Sequence, residues 1–139
     1  LDTLQAAILL LKLEIFPEEI VLRQSKADNY NKLISDAQSN FDNNLYIEPP
    51  VIEDFNASVF AQYTLHTNNR PLVLERLKNQ NIPFAIHYEK LTYDHSAYLD
   101  DSCNTPVARS HTEGVFSIPM HPYLSAGDQE KIINAIFEG

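Results

Sequence analysis

The sequence predicts an α+β domain: a small, mainly antiparallel three-stranded sheet with helices packed on one face, preceded by two helices. Three observations carry this. Apolar residues recur at helical spacing from residue 4 to residue 37. Residues 58–67 alternate as a half-buried strand does. Short apolar runs at 84–86 and 115–118 are bounded by proline, asparagine or glycine.

Residues 4–16 read as a helix whose ridge is Leu4, Ile8, Leu11 and Ile15, with Leu9, Leu10 and Leu13 carrying apolar character round the cylinder. A helix apolar on most sides is normally covered from several directions, so a partner surface is expected: an absent domain, a second subunit, or both. Pro17, followed by Glu18 and Glu19, has the signature of a new helix start. The second helix is expected to run to about Ala37, with Tyr30, Leu33, Ile34 and Ala37 as its stripe and Arg23, Lys26 and Asp36 in solvent. Residues 39–57, rich in Asn and Asp and holding Pro49 and Pro50, read as loop.

In the strand at 58–67, Val59, Ala61, Tyr63 and Leu65 take one face and Phe60, Gln62 and Thr64 the other. Asn68 and Asn69 turn the chain. Pro71 opens a helix carrying Leu74 and Leu77, which Asn81 ends before the strand at 84–86. Residues 99–105 form a polar loop, Pro106 starts a short helix that Gly114 stops, and 115–118 is the third strand. Ser125 and Asp128 have the spacing of a helix cap, and that last helix directs Ile132, Ile133, Ile136 and Phe137 inward.

The 139 residues fit one domain, divided as junction helices over 1–39 and a sheet-and-helix part over 40–139. A net charge of −9 argues against nucleic acid or an anionic membrane as partner, since both select positive surfaces. No apolar run reaches the length of a membrane span. One cysteine, Cys103, excludes an internal disulfide and fits a reducing cytoplasm; without a basic neighbour it reads as an ordinary small side chain. The start at Leu1-Asp2-Thr3 is read as that of a fragment whose upstream part is missing, and a trimmed mature terminus would look the same.

Three glycines, Gly114, Gly127 and Gly139, cannot build a P-loop, a dinucleotide-binding loop or a GxSxG elbow. The five histidines (His66, His87, His95, His111, His121) show no HxxxH or HExxH spacing, so no metal site is expected, and a metal hydrolase assembled in space from His87 and His95 is the minor alternative. The richest stretch is 82–98, where an apolar strand runs into His87 and Tyr88 and on to Tyr93, His95 and Tyr98. Imidazole and phenol donate and accept hydrogen bonds and offer flat faces to a sugar or aromatic ligand. On spacing alone, a partly buried pair satisfied by backbone is the stronger reading.

The order of several motifs resembles the C-terminal part of DegT-type, pyridoxal-phosphate-dependent sugar aminotransferases. The opening Leu1 to Leu9, then Arg23, Ala27 and Tyr30, then Arg70, Leu77 and Ile82, look like successive family segments. His87-Tyr88 is similar to the family's recurring His-Tyr pair, with Tyr98 ten residues on. Pro106-Val107-Ala108 and the run from Ser117 to Ser125 resemble its closing motifs. The sequence departs at Tyr93, where histidine is frequent, at 89–92, where prolines are usual, and at Arg109, where Glu is common. The first two fall in the substrate-facing loop that the resemblance implies and leave sugar specificity open.

The resemblance implies the small C-terminal domain of a fold-type I transaminase acting on a keto-sugar nucleotide in cell-surface or secondary-metabolite sugar biosynthesis. It implies a homodimer in which His87 and Tyr88 contact the neighbouring subunit's substrate, with Tyr98 supporting the loop. Pyridoxal phosphate would be held by an N-terminal large domain outside this chain; no cofactor is expected on this chain alone, which would be inactive. None of its lysines (Lys12, Lys26, Lys32, Lys78, Lys90, Lys131) matches the family's cofactor lysine. A dehydratase of the same fold, and a free-standing non-catalytic binding module, are the alternatives.

Overall fold

The computed structural model describes residues 2–40, 44–100 and 102–138. Leu1 of the opening motif, and residues 41–43 and 101 of two expected loops, lie outside the described residues.

The first element is a helix, α1 (Thr3–Asn40). Asp2 and Gln5 cap it reciprocally: the Gln5 N–H donates to Asp2 Oδ1 at 2.8 Å, and the Asp2 N–H to Gln5 Oε1 at 3.4 Å. The two helices expected on either side of Pro17 are therefore one, with Pro17 inside it. An interior proline loses its N–H bond to the carbonyl four residues back and crowds that carbonyl with its ring, together a cost of roughly 3 kcal/mol that the flanking helix formers carry. The C-terminal half of α1 buries Tyr30, Ile34 and Ala37 of the anticipated stripe, with Ala27 added and Leu33 only partly buried at its edge. Arg23 is a correction: instead of facing solvent, its guanidinium donates to the carbonyls of Phe60 (3.1 Å) and Met120 (3.5 Å).

The sheet is antiparallel and three-stranded, as expected, in the order β1 (Ile47–Glu48), β2 (Tyr63–Thr67), β3 (Val115–Ile118). Its membership differs from the reading. β1 lies in the stretch expected to be loop, where Ile47 pairs with Thr67 and Glu48 with His66. β2 is shorter than 58–67, because Phe60 takes a left-handed φ of 44° that no strand tolerates. The expected strand at 84–86 shrinks to one bridge, in which Ala85 and Ser117 exchange two backbone hydrogen bonds of 3.0 and 2.8 Å. Pro83, without an N–H, denies it a longer ladder.

Between the strands run α2 (Arg70–Asn79), a single 3-10 turn at Thr92–Asp94, and α3 (Pro106–Gly114); α4 (Ala126–Phe137) closes the chain. Asn69 caps α2 through the Leu72 N–H, Ser125 caps α4 through the Asp128 N–H, and Pro stands in the first turn of both α2 and α3.

One core joins α1, α2, α4 and one sheet face, with Tyr30, Ile34, Tyr63, Leu65, Phe116 and Ile136 at its centre. Burial holds the Tyr30 and Tyr63 hydroxyls protonated well above their usual range. Tyr30 donates to the Pro119 carbonyl at 2.9 Å and Tyr63 to Asn31. The buried Gln129 amide is satisfied from α1, by the Lys26 carbonyl at 2.9 Å and the Asn29 amide at 3.0 Å. Arg76 of α2 donates to the Ile136 and Phe137 carbonyls, and Arg70 to those of Thr112 and Val115. α3 stands apart from the core and meets β2 through His66, whose ring lies 5.0 Å from that of His111.

Candidate functional site

The alternation of β2 and β3 turns Thr64 and Ser117 away from the core face, and their hydroxyls hydrogen-bond to each other at 2.8 Å. The segment carrying His87 and Tyr88 is laid across this outer face by the Ala85–Ser117 pair. Two adjoining clefts result, and His87, Gln62 and Ser117 border both. One, of about 260 Å³, continues toward Phe84, Ile118 and Met120; the other, of about 190 Å³, toward Thr64, Tyr88 and Val115. His87 is exposed and Tyr88 is 78 % exposed, so neither ring is the backbone-satisfied buried pair that spacing alone favoured. Among the described residues no Asp, Glu, Lys or Arg lines either cleft. What the walls offer are an amide, two hydroxyls, an imidazole and a phenol.

The rest of the 82–98 stretch is held elsewhere. Tyr93 hydrogen-bonds to the Thr105 hydroxyl at 2.6 Å, and Asp94 forms an ion pair with Arg109 at 2.9 Å. That hydrogen-bonded guanidinium keeps the Asp94 carboxyl below the usual carboxylate range. Arg109 also sits 5.6 Å above the Tyr93 ring. Two of the sequence departures, Tyr93 and Arg109, are thus in contact. His95 and Tyr98 are exposed, and the Tyr98 N–H donates to the His95 carbonyl at 2.9 Å. His111 meets the His66 ring at a 58° tilt, and His121 accepts from the Tyr123 N–H at 3.2 Å. Cys103 donates its thiol proton to Asp100 at 3.4 Å, which pushes the thiol pKa up.

Among the described residues no three His, Cys, Asp or Glu side chains converge as metal ligands. None of the six lysines lines a cleft beside His87. No described helix is long and apolar enough to cross a membrane. Gln62, Thr64 and Ser117 were absent from the sequence-derived site. Alternation alone placed Gln62 and Thr64 together on one face, but only the fold puts Ser117 and His87 beside them.

Sheet and helices define an α+β domain of the kind found at the C-terminus of sugar aminotransferases. The chain belongs to the DegT/DnrJ/EryC1/StrS aminotransferase family, whose model matches residues 1–137. Aminotransferases of this family are pyridoxal-phosphate enzymes. The chain is 42 % identical over 136 residues to the UDP-2-acetamido-2-deoxy-3-oxo-D-glucuronate aminotransferase of Pseudomonas aeruginosa, covering 98 % of this chain and 36 % of that protein. It is 30 % identical over 146 residues to the dTDP-3-amino-3,4,6-trideoxy-alpha-D-glucose transaminase of Micromonospora megalomicea, covering 99 % and 37 %. A crystal structure of a DegT DnrJ EryC1 StrS aminotransferase from Brucella abortus superposes with a TM-score of 0.83 at 36 % identity, covering 98 % of this chain and 35 % of that one. The chain thus spans little more than a third of the proteins it matches.

Proposed function

We infer that this chain is the C-terminal domain of a pyridoxal-phosphate-dependent aminotransferase that converts a keto-sugar nucleotide to an amino sugar. The observation that carries this reading is the 42 % identity, over 98 % of the chain, to an enzyme named for a UDP-linked 3-oxo sugar. In this reading the cofactor, its lysine and its phosphate cradle belong to an N-terminal large domain, and residues 1–39 serve as the junction to it. The intact enzyme is a homodimer. His87 and Tyr88 reach the substrate of the neighbouring subunit, and the chain alone is inactive. The apolar, uncovered first half of α1 supports a missing covering surface. The hydrogen-bonding clefts beside His87 support contact with sugar hydroxyl or acylamino groups.

The test is an assay of the enzyme encoded by the full gene, with UDP- and dTDP-linked 3-oxo sugars and an amino-acid donor. Amination is expected, with KM for the nucleotide sugar rising about tenfold or more in His87→Ala. Purified chain 1–139 mixed with pyridoxal phosphate should give no new visible band. A stoichiometric, borohydride-trappable adduct on one of its lysines would overturn the assignment of the cofactor to another domain.

A further inference from the structure

We propose that Asp94 and Arg109 form a positioning clamp that fixes His87 and Tyr88 over the outer face of the sheet; the inference rests on the functional reading given above. The cleft beside Tyr88 has two kinds of wall. One is the segment holding His87 and Tyr88, and the other is the sheet, with β3 from Val115 to Ser117 and Gln62 and Thr64 beside it. Both walls continue out of the cleft, the first to the 3-10 turn ending at Asp94, the second back along α3 to Arg109. There they are joined again, because Arg109 donates to Asp94 Oδ1 at 2.9 Å and to Oδ2 at 3.3 Å. At the other end they are joined by the two Ala85–Ser117 backbone bonds. His87 and Tyr88 therefore lie on a strap pinned at both ends to the same strand and helix.

The clamp is over-determined for an exposed contact. Asp94 Oδ2 also accepts from the Leu91 N–H at 3.4 Å, and Tyr93 is held both by Thr105 and by the guanidinium above its ring. The base of α3 is anchored in turn by Arg70, which donates to the carbonyls of Thr112 and Val115. An exposed ion pair adds little to global stability, so a geometry this complete acts on local order. A strap pinned at both ends keeps the imidazole and phenol in place before substrate arrives, and pre-ordering lowers the entropy lost on binding.

The experiment uses the full-length enzyme with Arg109→Gln, Asp94→Asn, and the exchanged pair Asp94→Arg/Arg109→Asp, each followed by kinetics, melting and amide exchange. For each single variant we expect KM for the nucleotide sugar to rise about tenfold, kcat to stay within twofold, and Tm to shift by no more than about 4 °C. Amide exchange across residues 87–94 should quicken, and the exchanged pair should recover most of both effects. Unchanged KM with unchanged exchange overturns the proposal, and so does a fall in kcat at constant KM. If the wild-type enzyme aminates no keto-sugar nucleotide, the functional reading fails, and exchange over 87–94 in the same variants still decides the clamp.

Discussion

Cys103 is exposed and free, yet its surroundings work against reactivity. The Asp100 carboxylate accepts the thiol proton and opposes a second negative charge beside it, which holds the thiol neutral. At neutral pH it should alkylate more slowly than an ordinary exposed thiol, and Asp100→Asn should accelerate it. Equal rates of iodoacetamide labelling in the two proteins would remove this account. Asp94 makes a complementary case in the acid range. Its folded pKa lies below its unfolded one because Arg109 hydrogen-bonds to the ionised form. The contribution of the ionised form to folding is therefore complete above the unfolded value of about 3.9 and disappears as pH falls through the lowered value. Carboxyl-carbon NMR should find Asp94 titrating below that ordinary value, and returning toward it in Arg109→Gln. Gly114 is fixed by contact. A Cβ there would stand 2.3 Å from His66 Nε2 and 2.7 Å from the Thr67 carbonyl oxygen. The imidazole can swing aside but the β2 backbone cannot, so Gly114→Ala should cost about 1–3 kcal/mol in a denaturant titration.

At the scale of elements, Pro17 separates what the sequence displays from what the fold decides. Proline after an apolar helix, followed by two glutamates, is a start signal, and nothing local distinguishes a new helix from one that continues through it. Restoring the missing donor should stiffen α1, so Pro17→Ala is expected to raise helicity and slow amide exchange near Leu13. Unchanged exchange there would mean that the proline is not what limits the helix. The same division runs through the rest of the chain. α2, α3 and α4 were legible because their starts carry Pro71, Pro106 and Ser125; in α2 and α4 apolar positions fall at helical spacing, and Gly114 marks the end of α3. β3 was legible as an apolar run between Gly114 and Pro119. β1 was not: two residues in an Asn- and Pro-rich stretch become a strand only because Thr67 and His66 lie alongside. In the site, His87 and Tyr88 stood out as residue types. Ser117, the partner that completes their clefts, is a serine in an apolar run, and its role comes from a bridge to Ala85 thirty-two positions away.

Across the whole molecule the two halves of α1 are unlike each other. Its second half disappears into the core, whereas Leu4, Leu10, Leu11 and Leu13 of the first half are each more than 60 % exposed. Ala6, Leu9, Leu10, Leu13 and Phe16 line an open apolar groove of about 630 Å³, with Lys12 and Glu19 at its border. An uncovered apolar surface of this kind is uncommon on a monomer, because each leucine removed from water contributes about 1.5–3 kcal/mol. Several such side chains on one helix outweigh the cost of joining two chains, so isolated chain 1–139 should self-associate through this helix. Sedimentation at rising concentration should show a species heavier than the 15.9 kDa monomer. Leu10→Gln/Leu13→Gln should shift it back toward monomer with the α4 core intact, since neither leucine belongs to that core. A wild-type chain that stays monomeric at high concentration would show that the apolar half of α1 tolerates water, and the need for a covering surface would lose its physical basis.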